Sequence, residues 1–313
     1  IKKEVDGEEI RRAYSLSSSP FEDDFRIGVK KMMNGKKSSF LNEKLKIGDV
    51  LDVLPPLGNF KINNLSSNSV GFAAGSGITP LLSMIKLVLK SNGKFSLFYG
   101  NKTAKDVIFR NELSNLKNQF PNHFSLYYMY SKQNAENPLL EGRINKEKAN
   151  LLIKENLELL KADGFYLCGP EDMVKNVSDS LKEFGVKENK IHFELFLAPQ
   201  IKNEKNQKSN SITIESDFLG ESHVTVLMDG DEFKFNLKAN GSSVLDAAIE
   251  AGADVPFSCK GAVCCTCKAK VLEGKVTMKL NYSLSDAEVK EGYILTCQSH
   301  PVSEKVIIDY DVT

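Results

Sequence analysis

Cys259-Lys-Gly-Ala-Val-Cys264-Cys265-Thr-Cys267, completed far downstream by Leu295-Thr-Cys297, decides how the rest of this 313-residue chain is read. Cys259, Cys264, Cys267 and Cys297 are spaced C-x4-C-x2-C-x29-C, the ligand spacing of a [2Fe–2S] cluster. Two irons and two sulfides need four thiolates, three of them from one tight loop. The short spacer Lys260–Val263 lets the loop wrap a cluster. Gly261 is expected at positive φ, where the backbone can aim N–H groups at the sulfurs. A cluster carries one electron at a time, so the chain is expected to move electrons.

Two other readings compete. Zinc loops pair C-x2-C knuckles or mix Cys with His, but only one C-x2-C is present and His300 lies beyond the fourth cysteine. A disulfide framework would be denser than six Cys in 313 residues, five of which fall in one 39-residue stretch. Cys265 as ligand in place of Cys264 would give C-x5-C-x-C, so it is read as a small loop side chain.

Hydrophobic and charged fractions of 41% and 26% are those of a globular chain, and its length implies two or three domains. With 41 basic and 41 acidic residues, nothing points to nucleic acid or an anionic membrane. Residues 221–313 nevertheless hold 9 Lys/Arg against 14 Asp/Glu, a net of −5 that leaves the first 220 residues at +5. The asymmetry is compatible with electrostatic docking or with plain surface charge. No run of 18 apolar residues exists; the longest, Ile78 to Leu89, is interrupted by Lys86. Reduced, metal-ligating cysteines favour the cytoplasm.

Four segments follow from composition. Residues 1–60 read as strands and turns, with strands at Arg12–Leu16, Phe25–Met32 and Val50–Leu54. Residues 61–198 alternate strand and helix, implying a doubly wound parallel sheet. Strands are expected at Val70–Ala74, Phe95–Tyr99, Phe124–Tyr130 and Gly164–Leu167. A helix opens at Thr79-Pro80, with Thr79 as N-cap, Pro80 at N1 and Gly93 as the stop; further helices are placed near 106–118, 145–160 and 171–184. Residues 199–220 are polar and aperiodic, a flexible linker. Residues 221–313 begin with strands His223–Met228 and Glu232–Leu237 about an Asp229-Gly230 turn. A helix at Ser243–Ala251, the cysteine loop and a strand at Val306–Tyr310 complete a β-grasp pattern.

Two motifs sit in the second segment. Gly75-Ser-Gly77-Ile-Thr79-Pro80 follows a strand and opens a helix, where glycines and a helix N-terminus suit a pyrophosphate; Pro80 replaces the third glycine of the dinucleotide fingerprint. A tight strand–helix turn is the plain alternative. The next strand ends in Asn101 and Lys102, with Arg110 beyond. Cations there suit a 2′-phosphate, so NADPH is expected over NADH. Cys168-Gly169-Pro170 ends another strand, where Cys168 faces either a nicotinamide or ordinary packing.

Taken together these motifs resemble the ferredoxin–NADP reductase superfamily fused to a plant-type ferredoxin, over nearly the whole chain. Arg12-Ala-Tyr14-Ser15 and Gly35-Lys-Lys-Ser38 look like its flavin signatures; GSGITP and CGP look like its nucleotide signatures. The ferredoxin stretch is most similar to reductase subunits of phenylacetyl-CoA oxygenases. The resemblance implies that Arg12, Tyr14 and Ser15 contact FAD, with Ser15 near flavin N5, and that Gly35 and Ser38 lie at its pyrophosphate. It further implies that Gly75, Gly77, Thr79 and Pro80 cradle NADPH, that Cys168, Gly169 and Pro170 lie near the nicotinamide, and that Glu194 sits at the flavin edge. Lys102 stands where the family often has Arg. The family carries further barrel strands before R-x-Y-S, so a partial flavin barrel is expected at 1–60. The implied activity is electron transfer from NADPH through FAD and [2Fe–2S] to an oxygenase component. A different acceptor, such as a ring-hydroxylating dioxygenase or a desaturase, or a flavin/iron–sulfur sensor without turnover, are the rival readings.

Overall fold

In the computed structural model, which describes residues 1–312 apart from 6, 32–35, 136, 197–217 and 219, contacts group the chain into two units. Ile1–Ala13, Val50–Asn59 and Leu197–Thr313 form one; Tyr14–Asp49 and Phe60–Phe196 form the other. Most of the expected linker, 199–217 and 219, lies outside the described residues. No described helix is long and apolar enough to cross a membrane.

Near the N-terminus Lys2–Val5 (β1) pairs antiparallel with Glu8–Arg11 (β2), with Gly7 at φ 75° in the turn. The three strands expected further on do not form. Arg12–Leu16 and the described part of Phe25–Met32 (Met32 itself is outside) share one bridge, Leu16↔Ile27, and Val50–Leu54 has only Lys2↔Asp52. Strands persist where a ladder partner and a face to bury coexist. Phe25, Val50 and Val53 remain exposed, so those alternating residues bury little here. A short helix, Lys36–Glu43 (α1), follows.

The parallel sheet is the best-packed part of the second unit. Its strands are Asn68–Ala74 (β3), Lys94–Asn101 (β4), Phe124–Tyr130 (β5), Gly164–Gly169 (β6) and Ile191–Leu195 (β7), in order β5-β4-β3-β6-β7 and all parallel. The last was not anticipated as a strand. Helices Ile78–Lys90 (α2), Arg110–Gln119 (α3), Lys146–Glu155 (α4) and Glu171–Glu183 (α5) connect them. Leu81, Leu82, Ile85, Val88 and Leu89 of α2 are at most 1% exposed. At about 2 kcal/mol for each buried side chain, this face holds the helix on the sheet. The chain leaves β3 for β4 on one side and returns through β6 on the other. The switch point therefore lies at the carboxyl ends of β3 and β6, where open α/β sheets bind ligands.

Helix α2 departs from expectation at both ends. It begins at Ile78 behind a one-turn 3₁₀ segment, Gly75–Gly77, and Gly77 is its N-cap in helical φ,ψ with no side-chain cap. Thr79 and Pro80 thus lie two residues deeper than foreseen, at the second and third helical positions. The Thr79 hydroxyl donates back to the Ser76 carbonyl at 3.0 Å, the local bond that lets a helix start without a polar cap. At the other end Asn92, at φ 60°, makes the left-handed turn, while the Gly93 N–H donates to the Val88 carbonyl at 2.9 Å.

Strands Glu221–Met228 (β8), Asp231–Lys238 (β9), Lys268–Glu273 (β10), Val276–Met278 (β11), Tyr293–Leu295 (β12), Ser299–Pro301 (β13) and Lys305–Asp309 (β14) build the C-terminal part. Five form a sheet in order β12-β10-β14-β8-β9, with β14 and β8 parallel; β11 and β13 form a separate pair. Asp229 at φ 53° and Gly230 at φ 83° make the two-residue turn between β8 and β9, as a type I′ hairpin requires. Helices Val244–Glu250 (α6) and Asp286–Lys290 (α7) complete it. Ser243 caps α6, and Val244, Leu245 and Ala248 are fully buried against the sheet. This is the mixed sheet crossed by one main helix that the β-grasp pattern anticipates.

Gly77 explains the close seating of α2. A Cβ there would stand 2.0 Å from the Cys168 carbonyl oxygen. Gly77→Ala is therefore expected to lower unfolding free energy by about 3 kcal/mol, the upper end of overpacking costs. Urea denaturation checks this; a loss below about 1 kcal/mol would show that the close approach is not rigid.

Candidate functional site

At the switch point the chain gathers residues from distant parts of the sequence. The Ser15 hydroxyl donates to Glu194 Oε2 at 2.8 Å across 179 residues. Glu194 on β7 is the register partner of Cys168 on β6. Cys168 is fully buried; burial, and then the neighbouring Glu194 carboxylate, push its thiol well above the ordinary range. It is a neutral, soft side chain and not a thiolate. Gly169 is half-buried beside it and Pro170 exposed. Three residues implied by the resemblance therefore form one contiguous group.

The glycine turn beside them is built unequally. Gly77 is glycine because the backbone of Cys168 and Gly169 fills the space a side chain would take. Gly75 is at φ 55° and its missing side chain would face open space, with only Lys30 Nζ at 3.8 Å. The pyrophosphate argument thus applies to Gly75, whereas Gly77 answers to packing. The Tyr99 hydroxyl donates to the Gly75 carbonyl at 2.9 Å and ties the turn to β4. Asn101, at the end of β4, is buried with its side-chain Nδ2 unpartnered. Lys102 and Arg110 are exposed. Asp106 is held below the usual carboxylate range, chiefly by the Thr103 hydroxyl, with Lys30 and Lys102 adding positive potential. An open backbone turn, a helix N-terminus, an orphaned buried donor and nearby cations fit an anionic dinucleotide.

On the flavin side Arg12 is exposed, its guanidinium donating to the Arg11 carbonyl at 2.7 Å. Tyr14 and Ser15 are half-buried and Ser38 is buried. Gly35 lies outside the described residues. A hydroxyl fixed by a carboxylate, next to a partly exposed aromatic ring, suits one edge of a planar ring system.

In the C-terminal part the four cysteines arrive as two pairs. The Cys259 thiol hydrogen-bonds Cys264, which pulls Cys264 down to about 5 and raises Cys259; Cys267 and Cys297 pair likewise, raising Cys267. Among the described residues no three metal-binding side chains converge on one point; the donors are two and two, the count that two irons require. Backbone N–H groups of Gly261 and Val263 point at the Cys259 sulfur, the former at 3.2 Å, and Thr266 donates to Cys264. The expected N–H cradle is present, but not by the expected means. Gly261 is not at positive φ; its neighbours Lys260 (51°) and Ala262 (62°) are, along with Cys265 (54°). Cys265 is buried and its thiol donates to the Ser283 carbonyl at 3.4 Å, away from the pairs.

Several contributors were not singled out from sequence. Lys30 and Tyr99 flank the glycine turn. Lys86, within the apolar run of α2, meets Glu112 at 2.6 Å and Glu22 at 3.2 Å. Arg11 reaches Asp254 at 2.5 Å and lies 4.7 Å over the Phe257 ring, with Lys260 4.9 Å from the same ring. A lysine breaking an apolar helix face was the one visible signal among these.

Comparison with known proteins agrees with this division of chemistry. Residues 1–62 match the oxidoreductase FAD-binding domain, 72–179 the oxidoreductase NAD-binding domain, and 226–302 the 2Fe-2S iron–sulfur cluster binding domain. The chain is 37% identical over 316 residues to a 1,2-phenylacetyl-CoA epoxidase component of Escherichia coli K12, covering 99% of this chain and 86% of that one. It is 32% identical to the ferredoxin reductase component of Rhodococcus rhodochrous 3-ketosteroid-9-alpha-monooxygenase, covering 96% and 83%. The solved structure of phthalate dioxygenase reductase shares the fold, with TM-score 0.55 and 23% identity over 98% of this chain and 86% of that one. With three domain families matched in order and a 37% identical relative spanning almost its whole length, the chain belongs to the ferredoxin–NADP reductase-type oxidoreductases that carry a [2Fe–2S] ferredoxin domain.

Proposed function

We propose that this oxidoreductase takes electrons from NADPH and passes them through FAD and [2Fe–2S] to a separate oxygenase component acting on a phenylacetyl-CoA-type substrate. The carrying observation is the Ser15–Glu194–Cys168 group at the sheet switch point, in one chain with the paired cysteines. Bound flavin would supply the conversion of a two-electron donor into single-electron steps, and the cluster a one-electron exit. The phenylacetyl-CoA class is preferred because the relative bearing that name is 37% identical, against 32% for the ketosteroid component. The proposed segments are 1–60 for flavin, 61–198 for nucleotide, 199–220 as linker and 221–313 for the cluster. Thiols that must stay reduced favour a cytoplasmic location.

The chain's own residues position and tune. Gly75, the α2 N-terminus behind Gly77, Thr79 and Pro80, and Lys30 hold the dinucleotide phosphates. Lys102 and Arg110 are free to swing onto a 2′-phosphate, and Asn101 Nδ2 offers a fixed donor. Cys168, neutral and dry, with Gly169 and Pro170, walls the nicotinamide. The Ser15 hydroxyl donates to Glu194, so toward a bound flavin Ser15 would offer its oxygen lone pairs. Arg12 and Tyr14 hold the flavin, with Ser38 and Gly35 at its pyrophosphate. Cys259 with Cys264, and Cys267 with Cys297, each take one iron.

Anaerobic NADPH is expected to bleach both flavin and iron–sulfur absorption of the purified protein. It should be preferred over NADH by at least about tenfold in kcat/KM, the worth of one charge-assisted phosphate contact. Equal use of the two nucleotides would remove the assigned role of Lys102 and Arg110. Cys264→Ser is expected to abolish iron and acid-labile sulfide, while Cys265→Ser keeps both. If Cys265→Ser instead loses the cluster, the ligand assignment is wrong.

A further inference from the structure

Lys86 is a charged residue in the wrong place for a merely apolar helix. It is 7% exposed, on the face of α2 that otherwise carries Leu82, Ile85 and Leu89. Its ammonium meets Glu112 Oε1 at 2.6 Å, both oxygens of Glu22 at 3.2 Å and the Ser17 carbonyl at 3.3 Å. Glu22 in turn accepts the Ser19 N–H at 2.6 Å and lies 3.7 Å from Arg26. One turn before Lys86, the Ser83 hydroxyl donates to the Ser18 carbonyl at 2.7 Å. Ser17, Ser18 and Ser19 are all buried. The segment directly after Ser15 is thus fastened to α2 by polar contacts to its backbone, with Lys86 at the centre.

Stability alone does not call for this. A buried ion pair can often be replaced by apolar residues of similar volume at no loss of stability. What directional bonds to a carbonyl and two carboxylates provide is register. They fix how far the 15–22 segment lies along the helix that begins at the nucleotide turn. We propose that Lys86 is a positioning residue: through Ser17 and Glu22 it holds Ser15 against Glu194, and so aligns the flavin-side hydroxyl with the nucleotide-side turn. This rests on the reading of Ser15 as a flavin contact.

The test uses the full chain loaded with FAD and cluster, in the variants Lys86→Met, Lys86→Arg and Ser15→Ala. Lys86→Met is expected to weaken FAD retention, read by flavin fluorescence on dilution, by about tenfold. The same variant should lower kcat for NADPH-driven ferricyanide reduction by a similar factor, since small misplacements near a reacting centre are costly. KM for NADPH should move less than about twofold, because the nucleotide turn itself is untouched. Cluster absorption should be unaltered, and Lys86→Arg should recover most of both losses. If Lys86→Met folds poorly, the neutral triple variant Lys86→Met/Glu22→Gln/Glu112→Gln removes the stranded carboxylates and is expected to show the same two losses. A variant that shifts only the melting temperature, with FAD retention and kcat intact, overturns the proposal. If Ser15→Ala is impaired while Lys86→Met is not, the positioning role alone fails. If Ser15→Ala is also silent, the flavin reading of Ser15 fails with it.

Discussion

The arrangement of the second unit depends on one backbone-to-backbone contact, Gly77 against the Cys168 carbonyl. Parallel strands β3 and β6 lie side by side, and the chain leaving β3 must turn and become a helix without striking the end of β6. A residue without a side chain, already in helical φ,ψ, allows that turn directly. The consequences are chemical. The helix N-terminus stays at the switch point with its N–H groups unscreened by a capping side chain, Gly75 is left facing open space, and Cys168 is sealed beneath. The same contact that packs the sheet leaves a polar opening beside a dry thiol.

The cysteine loop meets the opposite demand. Four sulfurs must be held close enough to act together, which like charges resist once the thiols ionise. Three non-glycine residues, Lys260, Ala262 and Cys265, take left-handed backbone conformations to do this. Each costs of order 1 kcal/mol. Hydrogen bonds from Gly261, Val263 and Thr266 to the sulfurs offset that strain and disperse the negative charge. Gln298, next to the fourth cysteine, donates to the Lys260 carbonyl at 3.0 Å and closes the loop onto the downstream segment. The strain is local, and the buried face of α6 beneath it is ordinary apolar packing.

How much of this was legible in the sequence follows from the range of the interactions. β5 matches its expected range, and the β8–β9 hairpin and the Ser243-capped helix lie within a residue or two of theirs, because periodicity, a turn dipeptide and a cap are local signals. Cys168 was nameable from its place at a strand end, though only as a choice between nicotinamide and packing, and Ser15 and Glu194 took their roles from family resemblance; their meeting depends on strand order, which no local pattern encodes. The strands expected at 12–16, 25–32 and 50–54 failed for the converse reason. Their alternation is real, but alternation specifies a strand only where a neighbour supplies a ladder, and isolated bridges are what the described residues supply. Gly261 and Thr79 were misassigned by residue type. Glycine permits positive φ without requiring it, and threonine can bond backward into a turn instead of capping a helix.

Charge shows the same gap between composition and structure. Residues 221–313 carry a net of −5, which by itself suggests an acidic face around the cluster loop. The rim is instead compensated pair by pair. Lys260 meets Asp246 at 2.6 Å, Lys268 meets Glu288 at 3.5 Å, and Arg11 from the N-terminal hairpin meets Asp254 at 2.5 Å. Arg11 and Lys260 also share the ring of Phe257, two residues before Cys259. The exposed Lys260–Asp246 pair adds little stability, while Arg11 and the Lys268–Glu288 pair are more covered; each pair cancels much of the local field within a Debye length of about 8 Å. The excess negative charge therefore lies elsewhere on residues 221–313.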